Sequence, residues 1–174
     1  MRASAYVATS LDGYIARPGG ELDWLRPDGA GEEDFGFAAF MRSVDVLVMG
    51  RNTYDAVVTG AWPYGETPVT VLTSREIDIP LRLAGHVQAS SAAPLALADE
   101  LDERGLCHAY VDGGRTIQSF LAVGLVDEIT ITRVPIVLGS GIPLFERLNE
   151  DVRLRHLGTT SFDNGYVQSR YRVA

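Results

Sequence analysis

No lysine occurs in the 174 residues, so all 15 basic side chains are arginines. Schiff-base catalysis, a Walker-type phosphate loop and Ser-Lys dyads each need a side-chain amine, and none of the three can be built here. Cys107 is the only cysteine, which excludes an intramolecular disulfide framework and a cysteine-based zinc site. The three histidines, at 86, 108 and 156, have no metal-ligand spacing and no neighbouring nucleophile, so no metal is expected. No apolar run approaches the ~20 residues that cross a bilayer. The apolar stretch from Ala3 to Leu11 is cut by Asp12-Gly13 before it takes the form of a signal sequence. Positive charge is also in deficit: 23 acidic residues against 15 basic ones give a net −8, which disfavours nucleic acid or an anionic membrane as the main partner. The expectation is a cytoplasmic protein in a reducing setting that acts on a small molecule.

What is present is an ordinary apolar content of 46%, enough for one core and one domain over residues 1–174. Short apolar segments bounded by Gly, Asp or Pro read as strands: Ala3 to Thr9, Val44 to Met49, Val69 to Thr73, His86 to Ala89, His108 to Val111 and Ile129 to Leu138. Unbroken runs such as Val46-Leu47-Val48-Met49 suit strands covered on both faces. Helical spacing links Phe37, Phe40 and Met41, then Leu97 and Leu101, then Ile117, Phe120 and Leu121. Near the C-terminus, Val152 to Phe162 and Tyr166 to Val173 flank Asp163-Asn164-Gly165, a hairpin signal. The pattern predicts one α/β layer structure, parallel in its middle and ending in an antiparallel hairpin. Long loops from Arg17 to Gly31 and from Thr59 to Pro68 carry Trp24 and Trp62, which suit either stacking on a planar ring or anchoring the loops.

Standard fingerprints are missing. Gly139-Ser140-Gly141 has Leu144 where a dinucleotide motif needs its third glycine, and neither HExxH nor GxSxG occurs. Several strand ends nevertheless share an anion-binding chemistry. Met49-Gly50-Arg51-Asn52-Thr53-Tyr54 follows a buried strand; its glycine admits close backbone approach, the helix start presents N–H groups, and Arg51 and Thr53 add a charged fork and a hydroxyl. Thr73-Ser74-Arg75 offers hydroxyls and a guanidinium suited to a phosphate monoester, although such residues also form turns. Val111-Asp112-Gly113-Gly114-Arg115-Thr116 joins a strand, a double glycine and a helix start, an arrangement that lets backbone amides hold a pyrophosphate. The Gly139–Gly141 loop and the exit of the first strand, Thr9-Ser10-Leu11-Asp12-Gly13, complete the set. Contributions so widely spread in sequence imply a ligand with more than one phosphate.

Taken together, Ser10-Leu11-Asp12-Gly13 with Ile15-Ala16, Met49 to Tyr54, Asp112-Gly113-Gly114, and Gly124 to Glu128 followed by Pro135, Gly139 and Gly141 resemble the reductase domain of the bifunctional riboflavin-biosynthesis deaminase-reductase. More broadly they resemble the dihydrofolate-reductase-like superfamily. The resemblance spans essentially the whole chain. It implies a three-layer α/β/α fold with a central, mostly parallel eight-stranded sheet, NADPH as hydride donor, and a homodimer. It implies that Gly50, Arg51 and Thr53 hold cofactor phosphates, Ser74 and Arg75 the ribose 2′-phosphate, and Gly113, Gly114, Arg115 and Thr116 the pyrophosphate. Ser10 and Asp12 then face nicotinamide and substrate, with Gly139 and Gly141 beside the same cleft. Asp34 stands at about the spacing of the dihydrofolate reductase carboxylate, although Glu32-Glu33-Asp34 also reads as an acidic helix start. Riboflavin reductases usually carry a lysine where Tyr6 stands, and these 174 residues, with a single cysteine, leave no room for the zinc deaminase half. The expected activity is NADPH-dependent reduction of a small heterocyclic or carbonyl substrate, resembling 5-amino-6-(5-phosphoribosylamino)uracil reductase. Dihydrofolate reduction and a non-catalytic dimeric NADPH-binding module are the alternatives. The proton donor is left open among water, Ser10, Asp12 and Asp34.

Overall fold

The computed structural model describes residues 1–25, 33–146, 148 and 150–174. Among the described residues, ten strands and four α-helices follow in order: β1 (Arg2–Thr9), β2 (Tyr14–Ala16), α1 (Phe37–Met41), β3 (Val46–Gly50), α2 (Arg51–Val58), β4 (Val69–Leu72), β5 (Val87–Ser90), α3 (Pro94–Glu103), β6 (His108–Asp112), α4 (Gly114–Leu121), β7 (Glu128–Arg133), β8 (Ile142–Pro143), β9 (Leu154–Ser161) and β10 (Val167–Val173). Eight strands form one sheet in the order β5-β4-β3-β6-β1-β7-β10-β9, and β2 pairs with β8 in a separate ribbon. β10 runs antiparallel to both of its neighbours, and the remaining contacts in the large sheet are parallel. No helix among the described residues is long and apolar enough to cross a membrane.

The alternation of side chains divides the core into two layers. Val46 and Val48 of β3, with Ala109 and Val111 of β6, meet Leu97 and Leu101 of α3 and Ile117 and Phe120 of α4 on one face. Leu47 and Met49, with Tyr110, meet Tyr54 of α2 and Phe37 and Phe40 of α1 on the other. This explains why Val46 to Met49 is apolar without alternation: all four residues are at most 1% exposed, because helices cover both sides of a central strand.

Neighbouring strands β3 and β6 are parallel, with Met49 opposite Asp112, yet α2 leaves β3 toward one face and α4 leaves β6 toward the other. Loops that diverge in this way leave a crevice at the carboxyl ends of the strands, the usual ligand position in open α/β sheets.

The sixth expected strand is shorter than its apolar run. Pairing ends at Arg133, although Val134 N–H still donates to the Thr9 carbonyl at 2.8 Å. Pro135 has no N–H to continue the ladder, and Ile136 N–H turns back to the Val134 carbonyl. The sequence pattern also contained no sign of the β2–β8 ribbon, whose strands have three and two residues.

Candidate functional site

Gly50 and Gly113 occupy the N-cap positions of α2 and α4, and neither helix start has a side-chain cap. The first-turn N–H groups of both helices therefore have no capping side chain, and each helix brings the positive end of its dipole. The two starts lie very close together. A Cβ on Gly50 would stand 3.0 Å from Thr116 Oγ1, and one on Gly113 would stand 2.3 Å from Thr53 Oγ1. Each strand-exit glycine thus faces the hydroxyl-bearing residue of the opposite helix. Gly113 also has φ +88°, a backbone state that side chains other than hydrogen rarely adopt.

Gly114 is crowded from a third direction: its Cβ would lie 2.9 Å from Ile15 Cδ1 and 3.2 Å from the Pro143 carbonyl. The β2–β8 ribbon therefore closes over the α4 start, and Gln118 Nε2 secures it by donating to the Leu144 carbonyl at 2.8 Å. Gly141 is small for the same reason, because a Cβ there would meet the Ala16 carbonyl at 2.3 Å. Gly139 is exposed, with φ +75°.

Arg51 leans across to the β4 exit. Its Nη1 donates to the Glu76 carbonyl at 2.9 Å, and its Nε lies 3.3 Å from Asp55. At that exit Thr73 Oγ1 accepts from Arg75 N–H at 3.1 Å, a hydroxyl turn that leaves Ser74 and Arg75 exposed. Arg115 is exposed on the first turn of α4. Neither Arg75 nor Arg115 enters an ion pair among the described residues.

The expected polar residues of the acceptor side are held in structural bonds. Ser10 is fully buried, and its Oγ accepts from Tyr14 N–H at 2.9 Å. Asp12 accepts from Leu138 N–H at 3.1 Å and Gly139 N–H at 2.8 Å, tying the β1 exit to the loop after β7. The Ser10 hydroxyl and these amides hold its carboxyl below the ordinary range. Asp34 accepts from Gly36 N–H at 2.8 Å and Ala38 N–H at 3.1 Å, and so stabilises the start of α1. Those amides lower its pKa too. Trp24 is 2% exposed and packs with Val134 and Tyr166 as an anchor. Trp62 meets the rings of Tyr54 and Tyr64 edge-on. The part of the expected 17–31 loop after Leu25 lies outside the described residues.

The histidines also have structural partners. His108 lies between Ser4 Oγ at 2.9 Å and the Ser43 carbonyl at 2.6 Å, His86 Nδ1 is 3.1 Å from the Glu66 carbonyl, and His156 Nε2 is 2.7 Å from Thr159 Oγ1.

One carboxyl behaves differently, and the sequence reading passed over it as part of a glycine motif. Asp112, the last residue of β6, accepts from Gly113 N–H at 2.8 Å and from the Tyr64 hydroxyl at 3.3 Å. Burial drives its pKa up, against the lowering effect of the Gly113, Tyr64 and Tyr110 bonds. Burial and the Asp112 charge push the Tyr64 phenol up as well. The available signal was an acid placed directly after an apolar strand and directly before a double glycine. Phosphate chemistry drew attention to the glycines instead.

The model of the family described as RibD C-terminal domain matches residues 4–168. A solved structure of a candidate riboflavin biosynthesis protein from Shewanella sp. PV-4 is similar over 100% of this chain and 99% of that one, with a TM-score of 0.92 and 39% identity. The uncharacterized protein YwjB of Bacillus subtilis is 35% identical over 95% of this chain and 94% of its own. Dihydrofolate reductase HdrB of Haloferax volcanii is 32% identical over 69% of this chain and 61% of its own.

Proposed function

The chain belongs to the RibD C-terminal domain family, and on that premise we propose that it is an NADPH-dependent reductase of a small heterocyclic or carbonyl acceptor. The family supports a reductase role, and the converging uncapped starts of α2 and α4 carry the cofactor part of the reading. Two helix N-termini within contact distance, each preceded by a glycine whose Cβ would meet the other's threonine, fit a pyrophosphate. NADPH when bound supplies a hydride from its nicotinamide. The chain's contribution is position: Gly50, Thr53, Gly113, Gly114 and Thr116 hold the pyrophosphate, Arg51 and Arg115 add charge beside it, and Thr73, Ser74 and Arg75 take the 2′-phosphate. The β1 exit, held by Ser10 and Asp12, and the loop through Gly139 and Gly141 form the wall that shelters the reacting carbon from water. The reading covers residues 1–174 as one domain, in the cytoplasm, resembling 5-amino-6-(5-phosphoribosylamino)uracil reductase.

The deciding experiment is a titration of the purified protein with NADPH and NADH, followed by quenching of tryptophan fluorescence and energy transfer to the nicotinamide. Micromolar NADPH binding with much weaker NADH binding is expected; binding of neither would overturn the reading. NADPH bound but never consumed by any acceptor would identify the non-catalytic module instead.

The relation to HdrB favours dihydrofolate reduction as a second reading. It requires Asp34 to leave its backbone partners and reach the pterin, so Asp34→Asn should abolish folate reduction, and undiminished activity removes this reading.

We also propose a homodimer, through the face of β7, β10 and β9 that carries Ile131, Arg133, Ser169, Tyr171, His156 and Thr159. A cleft of about 190 Å³ opens on this face between Ile131, Arg133, Ser169 and Tyr171 and the β1 exit.

A further inference from the structure

Among the described residues Phe35 is the one non-glycine with positive φ, at +55°. For a bulky side chain that state is an outlier, and it persists only where the surroundings over-determine it. Here they act on every part of the residue. Its carbonyl accepts from the Tyr6 hydroxyl and from Gln168 Nε2, the latter at 2.9 Å. Its N–H donates to Glu33 Oε1 at 3.0 Å, and its ring stacks on Tyr166 at 4.9 Å and meets Phe162 edge-on at 4.8 Å. The two carbonyl donors are themselves fixed. Tyr6 of β1 stacks on Phe40 of α1 with ring centroids 4.7 Å apart. Gln168 of β10 also reaches the Tyr6 hydroxyl and Thr132 Oγ1 through Nε2, each at 3.0 Å. The start of α1 does not explain the state, because Gly36, at φ +86°, makes the turn into the helix and Asp34 serves its first amides. Backbone strain of this kind collects at ligand clamps.

The strained residue borders the acceptor side. Phe35 packs against the cluster of Trp24, Val134 and Tyr166, which Ala8 near the end of β1 and Ile136 and Leu138 of the loop after β7 also join. Those two segments lead into the wall assigned above to the reacting carbon. A second observation in the same cluster points to a ligand. Trp24 is 2% exposed, and its buried indole N–H meets no acceptor among the described residues. A buried donor without a partner is costly, and an acceptor atom on the edge of a bound ring would satisfy it. Phe35 itself stays half-buried, so part of its ring is open to contact.

We infer that Phe35 determines acceptor specificity as the platform for a flat heterocycle, and that Tyr6 and Gln168 are the positioning residues that hold it. This rests on the reductase reading above and narrows it: the acceptor is a planar heteroaromatic ring with an acceptor atom at its edge, not an open-chain carbonyl compound. Ring on ring contact gains from complementary quadrupoles beyond simple burial, and an open-chain carbonyl has no ring to offer. The gain requires a fixed platform. Because the two donors stand on β1 and β10, the sheet, not the chain leading into α1, sets where the Phe35 ring lies.

The test uses wild type, Phe35→Leu, Phe35→Tyr, the double variant Tyr6→Phe with Gln168→Met, and the triple variant that adds Phe35→Leu to it. First, NMR of the apo-protein follows the NOE between the amide proton and Hα of residue 35, which is strong at positive φ. It should be strong in wild type and weak in the double variant; if that variant does not fold, Tyr6→Phe and Gln168→Met are each read alone. A weak NOE in wild type, or a strong one that survives loss of the donors, overturns the clamp. Second, NADPH binding is measured by fluorescence, and NADPH oxidation with 5-amino-6-(5-phosphoribosylamino)uracil, with dihydrofolate and with butanal as an open-chain carbonyl. Phe35→Leu should raise KM for the heterocycle by about 2- to 10-fold, the range that aromatic pairing contributes, and Phe35→Tyr should restore it. The loss should fall on KM more than on kcat. The double variant should raise KM similarly and the triple variant no further than Phe35→Leu, because the donors act through the ring. An unchanged KM in Phe35→Leu overturns the platform, and additive losses in the triple variant overturn the positioning role. Wild type that binds NADPH and reduces butanal in preference to both heterocycles, or reduces neither heterocycle, overturns this inference alone. Wild type that binds no NADPH overturns the reductase reading and this inference together.

Discussion

Asp12 and Asp34 give their carboxylates to backbone amides, and this sets how the protein responds to acid. Their folded pKa values lie below the value of 3.8 of an unperturbed aspartate. The stability they contribute is therefore fully present above the unfolded pKa and is lost as pH falls through the folded one. Urea unfolding should show stability declining below about pH 4, and Asp12→Asn and Asp34→Asn should flatten that decline. Asp112 has the reverse sign. Its folded pKa lies above 3.8, so the folded state binds the extra proton and stability falls as pH rises through that window. Asp112→Asn should raise Tm at pH 7, with the gain shrinking toward acid pH; a lower Tm at pH 7 would contradict the sign. At the β4 exit, Arg75 carries a test of cofactor choice. It is exposed on a turn that Thr73 stabilises, so its removal should leave the fold intact. Arg75→Ala should weaken NADPH binding by roughly 1.5–3 kcal/mol, the range for hydrogen bonds to charged groups, and leave NADH binding nearly unchanged. Equal losses for both cofactors would refute the 2′-phosphate assignment.

At the scale of elements, the α2 and α4 starts depend on each other through Gly113. Ala at that position adopts φ +88° only with strain, and its methyl group would meet Thr53 Oγ1 at 2.3 Å. Gly113→Ala should cost about 1–3 kcal/mol in urea unfolding from the backbone alone, together with NADPH affinity. Adding Thr53→Ala removes the clash and leaves the strain, so the double variant should recover only part of the loss; full recovery would mean that the backbone state is not costly. Both glycine-capped helix starts were legible in the residues, because a glycine after a buried apolar strand and before a helical repeat is a local pattern. The three layers were legible for a similar reason, with Val46 to Met49 marking a strand covered on both sides. Less legible was anything set by contacts distant in sequence. Asp12 meets Leu138 and Gly139 across more than a hundred residues, so nothing near Asp12 distinguishes a staple from a catalytic acid. The β2–β8 ribbon is too short for periodicity to show, and the apolar run after Arg133 resembles a strand until the missing N–H of Pro135 is considered. Asp112 was hidden by its neighbours: the same double-glycine motif that drew a phosphate reading contains the half-buried acid.

At the scale of the whole molecule, the last three strands of the sheet differ from the rest. α2 and α4 pack over β3, β4 and β6, whereas β9 has no buried residue among those described and forms the edge of the sheet. The two faces of this region have different charges. One carries Arg155, Arg170 and Arg172 against Glu128. The other, with Ile131, Ser169, Tyr171, His156, Thr159 and Leu154, bears Arg133 as the only arginine and no acid among the paired strand residues described, although the chain has a net charge of −8. In a two-fold dimer each patch meets its own copy, so a patch of one sign repels itself and the nearly neutral one does not. Thr159 and Thr160 provide a matched pair for testing this, because they are adjacent, exposed and on opposite faces of β9, opposite Ser169 and Gln168 respectively. Sedimentation velocity should find wild type and Thr160→Glu as dimers and Thr159→Glu as a monomer, with circular dichroism unchanged in all three. A monomeric wild type would overturn the dimer, and a dimer that survives Thr159→Glu but not Thr160→Glu would place the contact on the arginine-bearing face. Because the 190 Å³ cleft on the neutral face is lined by Thr9, Ser10, Leu11 and Gly13, a partner seated there would press on the β1 exit from behind. Dimer loss in Thr159→Glu should therefore be accompanied by weaker acceptor binding while NADPH affinity at the α2 and α4 starts is retained.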